Sequence, residues 1–147
     1  MTALRAAETG HLVLCTMHTI NASETVQRFI DLFGERQTTL ARQMLAATLV
    51  GIVSQRLVPS AGGGQALNAE VLVNSSRVRD LIANGAPQGE VDKAVKEGDY
   101  YGMRTFDQCL LAHVRTGVIT RSDAIAYSTS QHDFQLMLEA EPAPASA

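Results

Sequence analysis

"GHLVLCTMHT", residues 10–19, sets a nearly unbroken apolar run between two histidines and closes on Thr16, Met17, His18 and Thr19. Apolar residues at successive positions, not alternate ones, mark a strand covered on both faces, as in a parallel sheet. The run predicts such a strand over residues 11–17. Residues 2–9 ahead of it are good helix formers, and Gly10 stands where a helix-ending glycine belongs. A parallel strand needs parallel neighbours reached through crossovers, yet only this one is legible. Two readings follow: a small, unusual sheet, or a chain that starts partway through a larger α/β domain.

Downstream, Asn21 is placed to cap a helix, with Glu24 three residues on to reach back. Val26, Phe29, Ile30 and Phe33 recur at helical spacing, and Gly34 closes the element. A second helix sets Leu40, Met44, Leu45 and Leu49 on one side. "IVSQRLVP" (52–59), the turn "SAGGGQ" (60–65) and "ALNAEVLV" (66–73) then read as an antiparallel hairpin. Beyond Asn74 the pattern is helical throughout. Ser75 or Ser76 caps a helix ending at Asn84-Gly85, and another runs from about Pro87 to Gly98. Thr105 with Gln108 opens a third that stops at Gly117, Thr120 with Asp123 a fourth, and a last begins near Gln131. The tail "EPAPASA", 141–147, is Pro/Ala-rich and reads as disordered.

Composition narrows the function classes. The chain has 147 residues, 46% hydrophobic but only 5% aromatic, so its core is aliphatic. A net charge of −3 leaves no basic footprint for nucleic acid or for an anionic membrane surface. No apolar run is long enough to span a bilayer, and the first ten residues lack a signal-peptide core. Two cysteines, Cys15 and Cys109, fit a reducing compartment better than a disulfide framework.

The residues themselves leave the candidate sites open. His18, with Thr16 and Thr19, sits at the carboxyl end of the expected strand, where open α/β sheets bind ligands; simple capping of a strand end is the plainer reading. His11 lies at the strand entrance, with structural and interface roles equally open. At about 3.3 Å per residue the two histidines stand roughly 23 Å apart and cannot share a metal. His113 and His132 read as packing or surface residues. Cys15, mid-strand, reads as a small hydrophobe, not an activated thiolate. Arg56 suits either a phosphate or intersubunit contact or a surface salt bridge. In "RVRDLI", Val78, Leu81 and Ile82 share one helical face and Arg77 and Asp80 another, which fits an ordinary amphipathic helix.

In order along the chain, "ALRAAETGHLVLCTMHT" (3–19), "IVSQRLVP", "AEVLV" (69–73), "RVRDLI" (77–82) and "GMRTFDQCLLAHVRTGVIT" (102–120) resemble the hexameric ATPases of secretion and type IV pili. The first stretch matches that family's histidine box. The interval between the "SQRL" strand and the next holds no cysteine, so the four-cysteine zinc module usual in the assembly branch is missing. "RVRDLI" resembles the "AIRNLI" motif of the retraction (PilT-like, twitching-motility) branch, with Arg77 for the small residue and Asp80 for the asparagine.

The resemblance implies an α/β fold: the C-terminal portion of a RecA-like P-loop ATPase domain, with one parallel strand and a β-hairpin over 1–74. An all-helical subdomain over 75–140 and the tail 141–147 would follow. It implies ATP and Mg2+ as cofactors of the intact parent, a homo-hexamer, a partner in the inner-membrane platform at the pilus base, and a cytoplasmic location peripheral to that membrane. Neither nucleic-acid binding nor membrane insertion is expected. It assigns nucleotide sensing to His18, Thr16, Thr19 and His11. The helix of Arg77, Val78, Arg79, Asp80, Leu81 and Ile82 receives partner contact or subunit coupling.

No G-x-x-x-x-G-K-[ST] occurs. "AGGGQ" has neither the lysine nor the hydroxyl that a phosphate cradle requires, and no acidic Walker B segment is present. The expectation is a C-terminal piece of a retraction motor that neither binds ATP tightly nor hydrolyses it alone. A free-standing, non-enzymatic module docking on pilus or secretion ATPase subunits is the alternative.

Overall fold

Side-chain caps set where the helices begin. The structure, a computed structural model, describes residues 2–140. Helix α1 (Thr2–Glu8) ends on a turn whose Gly10 has φ of 90°, a left-handed conformation that favours glycine. Helix α2 (Ala22–Asp31) starts where the Asn21 side chain accepts the Glu24 N–H at 2.9 Å. Glu24 reaches back one residue beyond the cap, accepting the Ile20 N–H at 2.8 Å. Helix α3 (Thr38–Thr48) follows a short 3₁₀ turn. Strands β1 (Gly51–Pro59) and β2 (Gln65–Val73) form a two-stranded antiparallel hairpin. Helices α4 (Ser76–Asn84), α5 (Gln88–Lys96), α6 (Phe106–Arg115), α7 (Arg121–Tyr127) and α8 (Gln131–Glu139) complete the chain. Ser75, Thr105, Thr120 and Ser130 cap α4, α6, α7 and α8, and the Thr105–Gln108 pair closes both bonds of a capping box.

The hairpin register follows from its ends. The Asn74 N–H donates to the Val50 carbonyl and the Ser60 N–H to the Gly64 carbonyl. Val58 therefore faces Ala66, and Arg56 faces Asn68. Gly63 and Gly64 supply the positive φ angles of the turn.

Packing divides the described residues into two units, 2–54 with 71–103 and 55–70 with 104–140. The first gathers Leu4, Val26, Ile30, Leu45, Val78 and Ile82 with their neighbours. Inside it, the Asn74 amide donates to the Ala46 and Leu49 carbonyls at 2.9 and 2.7 Å, tying the C-terminal end of α3 to the residue that leads into α4. The second unit packs Val58, Leu110, Ile119, Ala124, Phe134 and Leu138. Asn68 is wholly buried there, with no protein partner for either amide atom.

Two expectations need correction. Residues 11–19 carry no regular secondary structure and pair with no strand among the described residues. A strand is made by its neighbours' hydrogen bonds, which local pattern cannot supply. On α3, Met44 and Leu45 are buried and Leu49 packs partly against the same core as expected, but Leu40 is 49% exposed, and Ala41 and Ala46 complete the buried face in its place. The expected tail at 141–147 lies outside the described residues.

Candidate functional site

The histidine-bearing segment begins at the C-terminal end of α1. The His11 N–H donates to the Ala6 carbonyl at 3.1 Å, and its Nδ1 lies 3.0 Å from Thr9 Oγ1. That hydroxyl already donates to Ala6, so Nδ1–H is the donor to Thr9. His11 is thus engaged with the end of a helix. Seven residues on, at the other end of the segment, His18 is exposed, as is Thr16. Thr19 is half-buried, its hydroxyl 2.6 Å from that of Thr25 on α2. The segment therefore presents Thr16 and His18 to solvent beside the start of α2, and it keeps His11 and His18 apart.

Arg56 lies in the other unit. Its guanidinium carbon stands 3.9 Å above the centre of the Phe106 ring, the first residue of α6. Stacking of this kind is worth about 0.5–2 kcal/mol. On the outer edge of β2, His113 Nε2 lies 2.8 Å from the Leu67 carbonyl, which can only accept, so Nε2 carries the proton. One helical turn earlier, Cys109 Sγ accepts the Ala69 N–H at 3.5 Å and sits 3.6 Å from His113 Nε2. Cys109 is buried, whereas Cys15 is exposed.

Helix α4 buries Val78 and Ile82 and half-buries Leu81, while Arg77, Arg79 and Asp80 face solvent. Arg77 donates to Glu97, just past α5, at 2.7 Å. That hydrogen bond, aided by the charges of Arg77, Lys93 and Lys96, holds the Glu97 carboxyl below its usual pKa. Gly85 ends α4 with φ of +64°, and a Cβ there would meet Arg42 Nη1 at 2.6 Å.

Sequence reasoning did not anticipate Glu97, Asn74 or the Cys109–His113 pair. The last had a signal, since a thiol and an imidazole four apart share one face of a helix. Glu97 and Asn74 act over sequence distances that no local pattern reports.

Gly62, Gly63 and Gly64 lie in and beside the hairpin turn and lead into β2, not into a helix. A phosphate cradle is built at a helix N-terminus, so these residues do not fit one. Among the described residues no three His, Cys, Asp or Glu side chains group around a metal position. No helix of the described residues is long and apolar enough to cross a membrane.

Residues 1–69 match the family model "Type II/IV secretion system protein". The type IV pilus retraction ATPase PilT of Pseudomonas aeruginosa is 37% identical over 122 residues, covering 83% of this chain and 35% of PilT. The type IV pilus ATPase PilU of the same organism is 38% identical over 138 residues, covering 93% of this chain and 36% of PilU. The chain thus spans about a third of the length of the curated relatives it matches. Among solved structures, the pilus retraction motor PilT with bound ADP superposes with a TM-score of 0.75 at 38% identity, over 92% of this chain and 38% of that one. The ATPase DotB of Legionella pneumophila, at 23% identity and a TM-score of 0.68, covers 94% of this chain and 34% of DotB, and it shares the fold. The chain is thus similar to PilT-type ATPases over most of its length, and its residues 1–69 match the type II/IV secretion system protein family.

Proposed function

We propose that the chain is the C-terminal part of a pilus retraction motor, in which ATP hydrolysis by a hexamer drives pilus disassembly and twitching. The observation that carries this reading is the match to the retraction ATPase PilT, in sequence and in fold, over most of the chain. Residues 1–74 would belong to the motor core and 75–140 to a helical subdomain. The motor would sit in the cytoplasm against the inner membrane at the pilus base and engage a platform protein there. In that setting His18, Thr16 and Thr19 would face the nucleotide's terminal phosphate. An imidazole suits that place because it can hydrogen-bond phosphate oxygen. His11 would hold the segment's entrance, and Arg56 would meet phosphate or a neighbouring subunit. The exposed side of α4, with Arg77, Arg79 and Asp80, would carry coupling.

The residues present do not build a phosphate cradle, so no catalytic step is assigned to this chain. Purified protein should show no ATP turnover above buffer and no tight binding of ATP or Mg2+. Turnover that tracks the protein through purification and disappears in His18→Ala would overturn the assignment. Restored hydrolysis on adding a polypeptide that carries the P-loop half of a PilT-type core would support it.

A further inference from the structure

We infer that Asn84 is a self-modifying site: its side chain deamidates through the Gly85 nitrogen, at a rate set by opening of the last turn of α4. This goes beyond the motor reading and does not depend on it. Asn84-Gly85 is the one Asn-Gly step in the sequence, and both residues are exposed. With no side chain on Gly85, nothing screens its nitrogen from the preceding carboxamide. That nitrogen loses its proton to solvent and attacks Asn84 Cγ. A new C–N bond forms, the carboxamide C–N bond breaks, and ammonia leaves with a proton taken from water. Water then opens the five-membered succinimide at either carbonyl, leaving aspartate or isoaspartate in place of the asparagine.

The fold holds the reacting groups apart. The Gly85 N–H donates to the Ile82 carbonyl at 3.2 Å and the Ala86 N–H to the Leu81 carbonyl at 2.9 Å, a cap that keeps Gly85 left-handed at φ of 64°. The Asn84 amide nitrogen donates one turn back, to the Asp80 carbonyl at 2.8 Å. Closing the ring turns Asn84 out of helical ψ, which breaks the cap. Arg42 of α3 braces this end: a Cβ on Gly85 would lie 2.6 Å from Arg42 Nη1 and 2.7 Å from its guanidinium carbon. Arg42 Nε is buried with no hydrogen-bond partner, and the negative end of α4 lies beside the guanidinium. Helix ends open locally far more often than cores do, so the chemistry follows the fraying of this one turn. Isoaspartate carries the main chain through its side-chain carbon and adds a methylene inside the cap. Either product sets a carboxylate one turn from Asp80, a like-charge pair that weakens the helix end.

The intact chain, held in mildly alkaline buffer with and without urea, provides the test. Trypsin releases residues 80–93, which contain both partners. Mass spectrometry counts the exchange of NH2 for OH, and electron-transfer fragmentation separates aspartate from isoaspartate. Conversion should occur in both conditions, at least roughly tenfold faster in urea, as a gate of local opening demands. Asn84→Gln should abolish it in both. Arg42→Met should bring the folded rate towards the urea rate and leave the urea rate unchanged, with circular dichroism showing the fold kept. If that variant unfolds, the parent chain decides alone: urea below the unfolding transition should speed Gly85 amide exchange and deamidation in the same proportion. No conversion in urea, equal rates in both conditions, a folded Arg42→Met chain that reacts as slowly as the parent, or Gly85 exchange that accelerates while deamidation does not, would overturn the inference.

Discussion

Arg77 is the clearest case of a residue whose partner changes its meaning. It stands where the retraction motif carries a small side chain, and it is committed to Glu97 at 2.7 Å. The exposed, charged side of α4 is therefore tethered at one end, leaving Arg79 and Asp80 as its outward charges. The pair is solvent-exposed, so its contribution to stability is small and salt-sensitive. Its sign is nevertheless fixed. The Glu97 carboxyl is depressed in the folded protein, first by the Arg77 hydrogen bond and then by surrounding cations. The contribution is present above the ordinary carboxyl range and is lost as pH falls through the lowered folded value. Glu97→Gln should therefore melt slightly below the parent at neutral pH and low salt. The two melting curves should converge in acid, and again near 1 M salt.

Among elements, α4 separates packing from surface. Ile82 is 2% exposed, and Ile82→Ala should cost about 2–5 kcal/mol in chemical denaturation. Arg79→Ala and Asp80→Ala should each stay within about 0.5 kcal/mol of the parent, as surface changes usually do. Equal losses from both faces would show that the exposed side is packed after all. This helix was legible in the sequence down to its Gly85 end and to a cap at Ser75 or Ser76, of which Ser75 makes the bond, because both signals act within one turn. The Thr105–Gln108 box and the Thr120 cap were legible for the same reason. The hairpin was equally plain, with glycines between two apolar runs. What sequence could not yield was pairing: "HLVLCTMHT" reads as a strand, but whether a neighbour lies beside it is decided by residues far away in the chain. Nor could it show that Asn68, on an otherwise apolar strand, would be wholly buried. The candidate site was legible only in part. His18 and Thr16 stand exposed, whereas the stacking of Arg56 on Phe106 needed the packing of α6.

For the molecule as a whole, the phenylalanines divide two and two: Phe134 and Phe106 are buried in the unit of residues 55–70 and 104–140, while Phe29 and Phe33 are only partly buried, packed against the aliphatic core of the other unit. Phe134 is fully buried, and Phe134→Ala should cost about 3–5 kcal/mol. If the two packed units are also cooperative units, that loss should appear in hydrogen exchange as faster opening of amides in α6, α7 and α8. The slowest amides of α3 and α4 should hold their rates. Uniform acceleration throughout the chain would show a single cooperative structure instead.

The outer edge of β2 carries a further consequence. The Leu67 carbonyl and the Ala69 N–H both point away from β1, and side chains four apart share one face of a helix. His113 answers the first of these groups and Cys109 the second. Over this stretch a helix does the work of a missing third strand, with an imidazole and a thiol as its substitute peptide groups.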